Sequence, residues 1–208
     1  MPFEIEEVEL AGHKKISTGI IGLDYQLGGG FPEGSIIVIQ GSAISGIERV
    51  AEQFWKADGE TTSGRDSWYL ISDSSPSVGM TAVTPAEVGD VLSHMPGKRF
   101  VIDSLSSVIR IGGIDAAISL IKESGAIITH DGGTILFLLY DDVHPPEEVI
   151  AVIRYADVYI HLLDERHGNE IERKMEIAKL KNADVPGRLF PYNITKEGID
   201  LSTTARVV

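Results

Sequence analysis

The chain has 208 residues, enough for one substantial domain with its own core. With no cysteine it excludes disulfides and thiolate zinc sites, and no apolar run reaches the ~18 residues of a membrane span. A net charge of −13 repels nucleic-acid backbones unless a local basic patch overcomes that field.

The acidic start, Met1 to Glu9, lacks a basic leader region, so no signal peptide and a cytoplasmic place are expected. Residues 16–34 hold six glycines and a proline and read as an ordered loop with short helical turns. Ser35 to Gln40 is a β-branched run that fits a buried parallel strand. Ile47, Val50, Ala51, Phe54 and Trp55 recur at helical spacing, which predicts a helix of about three turns from Gly46. A polar stretch, 58–66, closes that unit. Trp68 to Ser72 is the next strand, 73–80 is turn-rich, and Pro85 to His94 is a short helix. Arg99 to Asp103 is a third strand, Ile114 to Thr129 a helix, Asp131-Gly132-Gly133 a turn, and Thr134 to Tyr140 a fourth strand. Pro146 to Tyr155 carries proline and two glutamates in its first turn, as a helix start prefers. From 157 the alternation stops. Asp157 to Leu163, Glu170 to Leu180 and Leu189 to Thr195 read as successive strands, the first two joined by a hairpin turn at His167-Gly168-Asn169. The expectation is a single domain over 1–208. Residues 1–34 form a lead-in segment, a central mostly parallel sheet is flanked by helices, and 157–201 form an antiparallel extension.

The residues that decide function are Gly41-Ser42-Ala43-Ile44-Ser45-Gly46-Ile47-Glu48. A phosphate-binding loop reads G-x-x-x-x-G-K-[ST], in which backbone N–H groups cradle phosphate, lysine grips the β/γ-phosphates and a hydroxyl holds Mg²⁺. Both glycines stand at that spacing, but Ile47 replaces the lysine and Glu48 the hydroxyl. The swap removes a charge-assisted contact of about 1.5–3 kcal/mol and adds repulsion toward a triphosphate. Glu48, favourable at a helix start, is expected to fold onto the loop amides itself.

These signals together resemble the RecA-like P-loop ATPases, and among them the KaiC-like group. Residues 16–34, with Ser-Thr-Gly-Ile-Ile-Gly-Leu-Asp and Gly-Gly-Gly-Phe-Pro-Glu-Gly, are similar to that group's opening. Arg-Phe-Val-Ile-Asp at 99–103 resembles its Walker B segment, with Asp103 as the acid. Residues 171–201, including Ile-Ala-Lys-Leu-Lys-Asn and Tyr-Asn-Ile-Thr-Lys-Glu-Gly-Ile-Asp-Leu, resemble its closing strands. The resemblance implies a RecA-like fold and an oligomer with nucleotide at subunit boundaries. It makes Asp103 the holder of Mg²⁺-bound water, and it makes Asp73, in the run Asp73-Ser74-Ser75-Pro76, the remnant of an acidic pair that activates water. It also implies that Lys179 and Lys181 reach a neighbour's phosphate; the alternative is two solvated residues of an edge strand.

Without the lysine, Asp103 and Asp73 are vestigial candidates, expected to hold serine or backbone groups and to cap a loop. No cofactor and no metal are expected. The leading expectation is a pseudo-ATPase acting as a regulatory or assembly module in signal transduction, with itself or an active relative as partner. A weak ATP binder or slow ATPase, using ATP with Mg²⁺, is the alternative. A DNA-binding recombinase relative is the third reading. Against it, 104–133 offers only Arg110 and Lys122 as cations beside Asp115, Glu123 and Asp131.

Overall fold

Apolar runs with β-branched side chains stack into one nine-stranded sheet, whose direction changes set the position of the site. The computed structural model describes residues 14–57, 67–131 and 133–201. The amino-terminal stretch to His13, the polar connection 58–66, and Gly132 of the turn expected at 131–133 lie outside the described residues. In chain order the elements are β1 (Lys15–Ile16), α1 (Ile21–Gln26), β2 (Phe31–Pro32), β3 (Ile36–Gly41), α2 (Ile47–Lys56), β4 (Ser67–Ile71), β5 (Thr81–Ala82) and α3 (Val88–Ser93). They continue with β6 (Arg99–Asp103), α4 (Leu105–Asp131), β7 (Thr134–Tyr140), α5 (Pro146–Tyr155), β8 (Val158–His167), β9 (Glu170–Leu180), β10 (Phe190–Ile194) and β11 (Ile199–Leu201).

The sheet order is β11-β10-β9-β8-β3-β7-β6-β4-β5, and β1 pairs separately with β2. From β8 to β5 all neighbours run parallel; β9, β10 and β11 continue the sheet antiparallel. Helices cover both faces of the parallel part, and strand alternation divides the apolar residues between them. Ile37 and Ile39 pack toward Leu23 of α1 and toward Ile47, Val50 and Phe54 of α2. Ile36 and Val38 face the other layer, with Val88 of α3, Leu105 and Ile121 of α4, and Val152 of α5. This is the RecA-like, mostly parallel α/β architecture with an antiparallel extension that the sequence predicts.

Three local differences have physical reasons. The helix expected at 114–129 begins at Leu105 and carries a kink, with Gly113 at φ 78°. Its first turns bury Leu105, Val108 and Ile109 at helical spacing, a stretch outside the expected helix, while Gly113 breaks the helical path where that expected helix begins. Strand β8 runs to His167 rather than Leu163, because a two-residue turn, Gly168-Asn169 with Gly168 at φ 61°, lets the ladder continue to the pair His167–Glu170. The two-residue strands β1, β2 and β5 are too short to leave a periodic signal.

The lead-in segment is fastened by Arg99. This side chain is fully buried; its Nη1 donates to the carbonyls of Ser17 at 2.6 Å and Phe54 at 3.2 Å, and its guanidinium lies 4.9 Å from the Phe54 ring. It thus closes the carboxyl end of α2 against residues 14–20. Gly19 permits the approach: at φ +77° it brings the segment so near α2 that a Cβ would stand 2.1 Å from the Gln53 carbonyl oxygen.

Candidate functional site

The carboxyl ends of β3, β4, β6 and β7 lie together at one end of the sheet, around the point between β3 and β7 where the strand order switches, which is where open α/β sheets bind ligands. Gly41 ends β3, Asp73 follows β4, Asp103 ends β6 and Tyr140 ends β7. The structure therefore brings together the loop 41–48, Asp73 and Asp103, which the sequence singled out.

The loop is held by its own side chains and by the antiparallel strands. Ser42 Oγ donates to Asp164 Oδ1 of β8 at 2.6 Å and accepts the Ile44 N–H at 3.3 Å. Ser45 donates to the Ser42 carbonyl from its N–H at 3.1 Å and from Oγ at 2.7 Å. The Tyr192 hydroxyl of β10 donates to the Ser45 carbonyl at 2.7 Å. Gly46 turns into α2 at φ +84°, where a Cβ would meet Ile194 and Ile199 at 2.9 Å.

The two substituted positions have different fates. Ile47 is fully buried and joins the core under α2. Glu48 is exposed, and its Oε1 accepts the Tyr140 hydroxyl at 3.2 Å. The expectation that this carboxylate folds onto the loop amides is thus corrected: a tyrosine across the cleft holds it. Ala43 and Ile44 are exposed on the outer turn.

Asp103 is buried. Its Oδ2 accepts the Tyr69 hydroxyl at 2.9 Å, and its Oδ1 lies 3.4 Å from the Tyr140 hydroxyl that also serves Glu48. Burial pushes the Asp103 carboxyl up to about 6; the tyrosine bonds oppose that, and the carboxylates of Asp73 and Glu48 add to it. The Tyr69 and Tyr140 hydroxyls are pushed far above their usual range, by burial first and then by these acids. Serine was the partner expected for the Asp103 side chain; tyrosines take that place, and Ser72 instead donates to the Asp103 carbonyl from its N–H at 2.7 Å and its Oγ at 3.2 Å. Asp73 Oδ2 accepts the Ser104 hydroxyl at 2.8 Å and the Ser107 hydroxyl, so it ties the loop after β4 to the start of α4.

Lys179 and Lys181 stand elsewhere, at the base of α5. Lys179 Nζ donates to the carbonyls of Ile153 at 2.9 Å and Arg154 at 3.2 Å. Desolvation lowers its pKa below the usual lysine value. Lys181 pairs with Asp157 at 2.6 Å, and Asp157 also accepts the Ile36 N–H.

Sequence reasoning missed Tyr69, Tyr140, Asp164 and Tyr192. Nothing in their local sequence marks them, because sheet pairing rather than spacing delivers them to the loop. It also missed the chain Tyr159–Gln40–Asp141–His161, which joins β8, β3 and the residue that follows β7. There burial works against Asp141, yet the bonds from His161 and Gln40 hold its carboxyl below the usual range.

Mg·ATP is what this fold implies, and the residues present do not fit it. The lysine position is hydrocarbon in the core, the hydroxyl position is a carboxylate, and among the described residues no ion pair reaches Glu48, Asp73 or Asp103. Arg49, next to Glu48, turns instead toward Glu52 at 3.7 Å. At the hairpin tip Glu165, His167 and Glu172 also cluster, but Lys174 already stands 3.2 Å from Glu165 and 3.0 Å from Glu172.

A family model described as "ATPase: KaiC" matches residues 79–205. No curated protein matches the sequence. Among solved structures, a KaiC-like protein of the hyperthermophilic archaeon Pyrococcus horikoshii OT3 superposes with a TM-score of 0.71 at 19% identity, covering 91% of this chain and 99% of that one. At that identity the likeness is one of fold.

Proposed function

Since this chain belongs to the KaiC family of ATPases, we propose that it is a non-catalytic member, a regulatory or assembly module in signal transduction. It uses the face around residues 41–48 to pair with a second copy of itself or with an active KaiC-like relative, in the cytoplasm. Among the described residues no helix is long and apolar enough to cross a membrane.

One observation carries the reading: Ile47, at the position of the phosphate-gripping lysine, is fully buried in the core. The loop thus spends its key position on packing. Glu48, Asp73 and Asp103 add negative charge to the space a triphosphate would enter, and neither ATP nor Mg²⁺ is part of this proposal. The surface of the loop favours protein instead. Ile44 is 52% exposed, and Ile194, against Gly46, is 37% exposed, which leaves apolar area where a phosphate site would be polar. Lys179 and Lys181 have partners within the chain, so the proposed boundary is built on the loop rather than on these lysines.

A second reading, a weak ATP binder or slow ATPase, has one feature in its favour. Gly46 still starts α2 in the left-handed conformation, and the Ile47 and Glu48 amides come before the first bonds of the helix, which Arg49 and Val50 make to the Gly46 carbonyl. Melting with and without Mg·ATP separates the two. A ligand at 100 times its Kd adds about 2.7 kcal/mol, several degrees for a chain of this size. The proposal expects a shift below about 1 °C and no hydrolysis above background. A saturable rise of several degrees, abolished by Asp103→Asn, would replace it with the second reading. The pairing face has its own readout: Ile44→Glu should shift the sedimentation of a self-associated or mixed complex toward the single chain.

A further inference from the structure

At the same end of the sheet, on the side of α4, lies a cavity of about 170 Å³ whose walls include Asp73, Ser106, Ser107, Arg110, Tyr140 and His144. It is smaller than the roughly 300–1,000 Å³ pockets that enclose drug-sized ligands, so its occupant is a molecule of a few heavy atoms.

Its polar groups are partly used and partly left over. Ser106, Ser107 and Arg110 stand three and four residues apart on the first turns of α4 and share one face. Ser106 Oγ accepts the Tyr140 N–H at 2.8 Å, which leaves its own hydrogen to donate. The Asp73 bonds from Ser104 and Ser107 both fall on Oδ2; Oδ1 has no partner among the described residues. The exposed Arg110 has no ion pair among the described residues. The His144 side chain is 4% exposed, with Nδ1 3.3 Å from Glu148 Oε2, and its buried Nε2 has no hydrogen-bond partner. A buried imidazole nitrogen without a partner asks for an explanation.

These leftovers are of both signs: a carboxylate oxygen and an imidazole nitrogen to accept, a guanidinium fork and a hydroxyl to donate. A simple oxyanion would satisfy Arg110 and Ser106 while facing the Asp73 carboxylate. A simple amine would satisfy Asp73 while facing Arg110. A free α-amino acid carries both charges on neighbouring atoms and adds no net charge. We propose that this cavity binds a small free amino acid, its carboxylate on Arg110 and Ser106, its ammonium toward Asp73 Oδ1 and His144. The guanidinium fork matches a carboxylate in two parallel bonds. The volume limits the side chain to the size of glycine, alanine or serine.

Calorimetric titration of the full chain with glycine, L-alanine and L-serine tests this, with acetate, methylammonium and inorganic phosphate as single-charge probes. Saturable binding of at least one amino acid is expected, together with at least tenfold weaker binding of acetate and methylammonium. Arg110→Gln changes an exposed side chain and leaves the fold intact; it should weaken the amino acid at least tenfold, as should Asp73→Asn. Melting of each variant without ligand establishes that it is folded. No binding of any of the three amino acids up to about 10 mM overturns the assignment. So does phosphate or acetate binding as tightly as the amino acid and surviving Asp73→Asn, which would make this an oxyanion site.

Discussion

Replacing Arg99 with alanine is expected to lower stability by about 3–5 kcal/mol, the largest effect of any single change considered. A fully buried guanidinium donates to the Ser17 and Phe54 carbonyls and lies over the Phe54 ring. Truncation deletes charge-assisted bonds, takes the guanidinium from the Ser17 and Phe54 carbonyls and opens a cavity of side-chain size. Folded domains have about 5–15 kcal/mol in hand, so the variant should melt roughly 10 °C lower, if it accumulates folded at all. Lysine should not rescue it, since one ammonium on a flexible stem cannot reproduce a planar fork directed at two carbonyls from different elements. Urea midpoints for Arg99→Ala and Arg99→Lys check both statements. A loss under about 1 kcal/mol for alanine would show that the lead-in segment is held by its glycine-rich packing instead.

Asp103→Asn is expected to stabilise the protein at pH 8 and do little near pH 4. The carboxyl is pushed up to about 6 in the fold, through burial and the neighbouring Asp73 and Glu48 carboxylates. An aspartate in an unfolded chain titrates near 3.9. Below about pH 4 the group is protonated in both states and makes no difference. Between about pH 4 and 6 the folded chain alone keeps the proton, so stability falls as pH rises, and above 6 the full penalty persists. Two pH units correspond to about 3 kcal/mol. Asparagine carries no charge and can still accept from Tyr69, so it removes most of that penalty and should gain on the order of 1–3 kcal/mol at pH 8. Urea midpoints of both proteins across pH 4–8 measure the gap. A difference that does not widen with pH would mean that Asp103 is ionised throughout, as it would be beside a bound cation.

Much of the fold was legible because buried parallel strands advertise themselves. The runs at 35–40, 99–103 and 134–140 are dense in β-branched and aromatic side chains with no competing helical period. Gly112-Gly113 is a genuine break in α4, and the short helical stretch before it was hidden because only the packing of Leu105, Val108 and Ile109 marks it. At the site, spacing revealed the loop and Asp103, since both belong to linear motifs. The tyrosines that define their surroundings come from β4, β7 and β10, separated by dozens of residues and joined only by sheet order. The fate of Glu48 turned on Tyr140, ninety-two residues away. The two lysines were legible as an alternating basic pair, but not as residues occupied by α5 and Asp157.

The interior position of Ile47 makes a lysine hard to install in this loop. An ammonium introduced there would have to leave a space shaped by hydrocarbon before it met any phosphate, and the layer beneath α2 would need new side chains to fill what it vacated. The choice of residue at position 47 is therefore coupled to the whole apolar layer, and a designer seeking a cation there would begin several residues away from it, inside the protein.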